Sequence, residues 1–213
     1  MVSKSDKKYL LICVFVAALV TSNVLSAKVI AFGKFVIPGG IVCYAITYLM
    51  SDVIGELYGK ELANRTVIYG LFSQVVCMLL ISLTLVLPAA DQKIGEAYSQ
   101  ALGLNLWFTL AGIFAYIVSQ MLDVEIFHGI RRRLTAKGSH KKWIWNNVST
   151  IISQMIDTGL YVLIAFGFGM EYLFSAESRE LLLWMCLSQY IAKVVLAIVD
   201  TPFFYILTKE ENN

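Results

Sequence analysis

Ser119-Gln120-Met121-Leu122-Asp123 returns almost unchanged as Ser153-Gln154-Met155-Ile156-Asp157, and both copies lie inside long apolar runs. On a helix, Ser and Asp four apart and Gln and Asp three apart project from one face. Each copy therefore presents a carboxylate, which only accepts hydrogen bonds, beside an amide, which donates and accepts. An Asp at the centre of a membrane span costs roughly 2.5–3.5 kcal/mol on insertion scales. Such groups persist where they face a partner or a watery cleft. The chemistry open to them is recognition: two facing helices of this kind can grip a flat heterocycle by its edge.

The same theme recurs elsewhere. Lys193 and Asp200 are seven apart in KVVLAIVDTPFFY, hence on one side of a helix that Pro202 should kink or deprive of regular bonding. Asp52 and Glu56 are four apart, and two close carboxylates in low dielectric make a proton-binding candidate. Glu56 has a second option, an ion pair with Lys60 at the interface. Asn23 falls in the outer half of the first apolar block, so the polar groups mark a path and not a shallow dimple. The plainer alternative is that Asp and Gln only fasten helices together, through bonds worth about 0.6–2 kcal/mol.

Several chemistries find no support. Cys13, Cys43, Cys77 and Cys186 lie singly, without the spacing of a metal site or a disulfide framework. The sequence has no GxxxxGK[ST] phosphate loop, so an energy source would be a borrowed ATPase module, a proton, or diffusion alone. Asp157-Thr158-Gly159 spells an aspartic protease tripeptide, but that chemistry needs a loop and a second Asp beside it. No catalytic residue, metal or cofactor is expected. The net charge of +2 does not point to nucleic acid, and Arg131-Arg132-Arg133 reads as a topology signal that could also touch anionic headgroups.

These residues need a membrane scaffold. Hydrophobic residues make up 58% of the 213 positions and charged ones only 15%, where a soluble domain averages about 25% charged. Six apolar blocks, near 9–31, 36–58, 65–87, 104–127, 144–168 and 181–207, are each long enough to span the hydrocarbon. The expected fold is all-α, one six-helix transmembrane domain over residues 1–213. Lys and Arg gather on the side of both termini and of the loops near Lys60 and Arg131, which places both termini in the cytoplasm.

SNVLSAK at 22–28, YAITYLMSDVIGELYG at 44–59, the two SQM stretches and KVVLAIVDTPFFY together resemble the queuosine precursor transporter family, within the wider vitamin uptake transporter group. The likeness runs from about residue 9 to 207. It implies a multi-pass protein of the bacterial inner membrane, similar to the substrate-binding subunits of energy-coupling-factor importers. The implied cargo is 7-cyano-7-deazaguanine and its 7-aminomethyl relative. Asn23, Tyr48, Asp52, Glu56, Gln120, Asp123, Gln154, Asp157, Lys193 and Asp200 match the family's motifs and form the expected substrate-binding set. A deazaguanine edge offers paired N–H donors to a carboxylate, either Asp123 or Asp157. Its carbonyl wants Gln120 or Gln154 as donor, and its faces want Tyr44, Tyr48, Tyr116 or Tyr161. Another purine-like or vitamin-like cargo, or an assembly subunit, are the alternatives.

Overall fold

The computed structural model describes residues 4–26, 28–32, 35–102, 106–139, 141–168 and 171–209. Among the described residues, seven α-helices carry the architecture: α1 Lys4–Ser26, α2 Ile41–Tyr58, α3 Lys60–Val86, α4 Gln92–Leu102, α5 Leu106–Ala136, α6 Lys142–Val162 and α7 Ala176–Leu207. Among the described helices, five stretches are long and apolar enough to cross a membrane: Ile41–Tyr58, Lys60–Val86, Leu110–Ala136, Lys142–Phe168 and Ser178–Leu207. Large apolar side chains such as Phe72, Leu83, Leu183 and Ile206 stand exposed along α3 and α7, as lipid-facing helices require.

The all-helical expectation needs one amendment. Residues assigned to the end of the first block and the start of the second instead form a two-stranded antiparallel hairpin, β1 Val29–Phe32 and β2 Phe35–Pro38. Its register pairs Val29 with Pro38 and Phe32 with Phe35. The hairpin is closed by Gly39 N donating to Lys28 O at 2.7 Å. A β-carbon on Gly39 would lie 2.8 Å from the carbonyl oxygens of Leu25 and Lys28, so only glycine lets the backbones approach this closely. Between α3 and α5 the chain carries the short exposed helix α4. Beyond α6 the chain widens into a π-helical turn over Leu163–Phe168. α7 runs through Pro202 to Leu207 without ending there.

Gly59 and Gly138 mark two sharp reversals. Gly59, at φ 91°, separates α2 from α3. Gly138, at φ 74°, lets Ser139 N reach back to Leu134 O at 2.9 Å and closes α5. Both conformations are left-handed, the region that favours glycine.

The packing order follows from these turns. α5 lies most extensively against α6, α1 against α2, and α7 against α6. An apolar core of Phe15, Leu19, Val53, Ile54, Val67, Tyr116, Phe127 and Phe204 joins α1, α2, α3, α5 and α7. One end of the bundle gathers both terminal helices. Lys7 Nζ donates to Leu207 O at 3.3 Å and Lys142 Nζ to Thr208 O at 3.2 Å. The other half of the core is polar, and it lies where α2, α5, α6 and α7 converge.

Candidate functional site

The repeat explains itself once α5 and α6 are packed. Ser119 of the first copy donates to Asp157 of the second at 2.9 Å, and Ser153 of the second donates to Asp123 of the first at 2.8 Å. Antiparallel helices bearing the same motif meet in this crossed fashion, each serine holding the other's carboxylate. All four side chains are buried.

Around Asp157 the shell is complete. Tyr44 Oη donates to Asp157 Oδ1 at 3.0 Å, and Lys193 Nζ lies 2.5 Å from Oδ2. The same ammonium sits 4.9 Å above the centre of the Tyr44 ring. Tyr48 Oη reaches Ser119 Oγ at 3.0 Å, so α2, α5, α6 and α7 all join one network. Tyr44 packs against Tyr48 and Tyr116 with ring centres 5.7 and 6.4 Å apart.

Around Asp123 the shell is open. Its carboxyl faces that of Asp52 across the α2–α5 contact. Thr150 Oγ1 approaches Asp52 Oδ2 at 3.2 Å. Yet Asp123 Oδ2 has no N–H or O–H donor among the described residues. Neither Nε2 nor Oε1 of the fully buried Gln120 has a partner there, nor has Gln154 Oε1. Buried polar groups are nearly always satisfied, and an orphan costs about 1–3 kcal/mol. These unmet donors and acceptors lie beside the carboxyls and can take a further partner, water included.

A narrow cavity connects the two shells, lined by Tyr44, Tyr48, Gln154, Lys193 and Asp200 among others. Its volume is about 10 Å³, room for about one water molecule. The arrangement is a closed one, with Lys193 and Tyr44 meeting at Asp157. Chemically the interior is rich in acceptors: Asp52, Asp123 and Asp157 are buried there, Asp200 lines the cavity, and among the described residues Lys193 is paired with Asp157. An acceptor-rich, aromatic-walled cleft suits a flat guest carrying several N–H donors.

Not every expected residue belongs here. Glu56 neither joins Asp52 as a carboxylate pair nor bonds Lys60. It pairs with Arg131 at 3.1 Å and Lys142 at 3.2 Å, while Lys60 pairs with Glu125 at 2.5 Å. The acid that meets Asp52 comes from another helix, because four-residue spacing along α2 offers a neighbour without excluding a better one across the bundle. Asn23 lies on α1, but its side chain falls outside the described residues. Ser119, Ser153 and Thr150 lie outside the expected binding set, and Tyr44, expected as a ring contact, also bonds Asp157 through its hydroxyl. For the serines the signal was their place in the repeat itself.

Residues 38–207 match the family described as "Putative vitamin uptake transporter". The chain belongs to the vitamin uptake transporter family. The match runs from the end of β2 to the end of α7 and contains all four interior carboxyls and Lys193. A curated relative from Bacillus subtilis (strain 168), named "Probable queuosine precursor transporter", is 26% identical over 194 residues. That alignment covers 90% of this chain and 80% of the relative. No solved structure matches the chain. As a member of this transporter family with several membrane-crossing helices, the protein is a multi-pass membrane protein that handles a small-molecule substrate within lipid.

Proposed function

We propose that the protein imports queuosine precursors, 7-cyano-7-deazaguanine and 7-aminomethyl-7-deazaguanine, across the bacterial inner membrane. It binds the base in the cleft between α2, α5, α6 and α7 and releases it chemically unchanged. α1 supplies a sixth span beside the five long apolar stretches, and the lysine- and arginine-rich end with both termini faces the cytoplasm.

The observation that carries this reading is the position of Lys193. Its ammonium touches the Asp157 carboxylate and lies over the Tyr44 ring at once. A guanine-like edge bonded to Asp157, with its ring stacked on Tyr44, occupies the same place. Lys193 thus stands in for the cargo while the cleft is closed. The relative's name supports the cargo class, and the acceptor-rich interior supports the donor edge. Gln120 and Gln154, with their unpartnered amide atoms, serve the carbonyl and the remaining ring nitrogen.

The test is uptake of labelled base by cells that lack their own queuosine synthesis and express this protein. Asp157→Asn should abolish uptake per molecule of protein present in the membrane. Full uptake by that variant would remove Asp157 from the reading, and failure of the unaltered protein to take up either base would remove the cargo.

A further inference from the structure

A second cavity, of about 640 Å³, opens at the end of the bundle where α2, α5 and α7 finish and α6 begins. It has nothing to do with the closed cleft. Its walls carry three cations, Arg131, Lys142 and Lys209, against one carboxylate, Glu56. Glu56 is shared between Arg131 and Lys142, so the pairing leaves positive charge over. Trp145 adds a neutral donor to the same wall. Its side chain is only 2% exposed, yet its Nε1 has no partner among the described residues. Thr135 and Thr208 also line the space, with hydroxyls that already donate to the carbonyls of Arg131 and Phe204.

Cations and N–H groups converging on one space suit a phosphoryl group, whose oxygens accept charge-assisted bonds. The remaining wall says where that group comes from. Tyr205 and Ile206, 40% and 69% exposed, belong to the outward face of α7. Val195, Ile198 and Val199 continue the apolar exposure along that helix. The cavity therefore opens sideways, onto surface that hydrocarbon covers. A soluble anion has no use for such a wall, whereas a lipid has its headgroup at the cations and its chains along α7. We propose that this mouth binds the phosphate of an anionic phospholipid and shares Arg131 and Lys142 with Glu56.

Native mass spectrometry of the purified full-length protein tests this, with phosphatidylglycerol, phosphatidylcholine and inorganic phosphate titrated in parallel. Phosphatidylglycerol should be retained roughly tenfold better than phosphatidylcholine, whose phosphate is the same but whose choline cation is repelled by Arg131, Lys142 and Lys209. Trp145→Phe and Lys209→Gln should each weaken its retention by about threefold or more, losses suited to single hydrogen-bond donors. Arg133→Gln removes a cation from the same helix end but not from the cavity wall, and should leave retention unchanged. Equal retention of the two lipids overturns the proposal, as does an Arg133→Gln loss matching that of Lys209→Gln. Binding of inorganic phosphate without preference for the anionic lipid overturns the lipid source.

Discussion

Lys193 Nζ and Asp157 Oδ2 lie 2.5 Å apart, with side chains only 11% and 6% exposed. Taking away one partner of a buried pair leaves an uncompensated charge and costs about 3–5 kcal/mol. Asp157→Asn should therefore lower the unfolding temperature in detergent as well as stop uptake. Adding Lys193→Met removes the stranded ammonium, so the double variant should regain most of the stability and none of the transport. Native stability in Asp157→Asn alone would mean that the pair contributes nothing to the closed state.

Gln120 separates recognition from helix fastening. A glutamine that glues helices has partners, and its loss destabilises the bundle; both amide atoms of Gln120 lack partners among the described residues. Replacing an unsatisfied buried amide by an apolar group of similar shape is close to neutral or stabilising. Gln120→Leu should thus keep or raise thermal stability while weakening base binding. A clear loss of stability would return Gln120 to the fastening role.

Tyr44 offers the cleft a hydroxyl and a ring, and the two can be parted. Tyr44→Phe loses only the 3.0 Å bond to Asp157 and should weaken base binding roughly 2- to 10-fold, the range of a single net hydrogen bond. Tyr44→Leu removes the stacking plane too and should weaken it further. Equal effects in titration calorimetry would show that the ring is not a contact surface.

The places where the sequence reads well and poorly have physical reasons. Blocks of about 20 apolar residues can be located because lipid imposes both length and composition, and α2, α3, α5, α6 and α7 fall on five of them. VIAFGKFVIPGG is as greasy as the spans on either side, so its short apolar runs do not reveal a hairpin by hydropathy. Helical spacing correctly sets Ser119 with Asp123 on one face. It cannot tell that the bond crosses to Asp157, because that depends on how α5 and α6 are staggered. Spacing likewise offers Glu56 to Asp52, where packing supplies Asp123. The unpartnered amide atoms of Gln120 are visible only in three dimensions.

Glu56 and Lys60 give the last contrast. Both are charged residues at the end of α2 and the start of α3, one turn apart, and sequence spacing would have them pair. Instead Glu56, with its side chain 8% exposed, bridges Arg131 and Lys142 and so ties α2 to α5 and α6. Lys60 bonds Glu125 across a contact whose side chains are 43% and 57% exposed. Exposed pairs contribute about 0–1 kcal/mol, so Lys60→Gln should hardly move the unfolding temperature. Glu56→Gln leaves two cations, each about a third exposed, without their acid. Solvent screens part of that loss, and a cost of roughly 1–3 kcal/mol is expected. A scan of both variants in the same detergent decides it. If Lys60→Gln proves the more damaging, the ties that hold this end of the bundle run along α2 and α3, not across to α5 and α6.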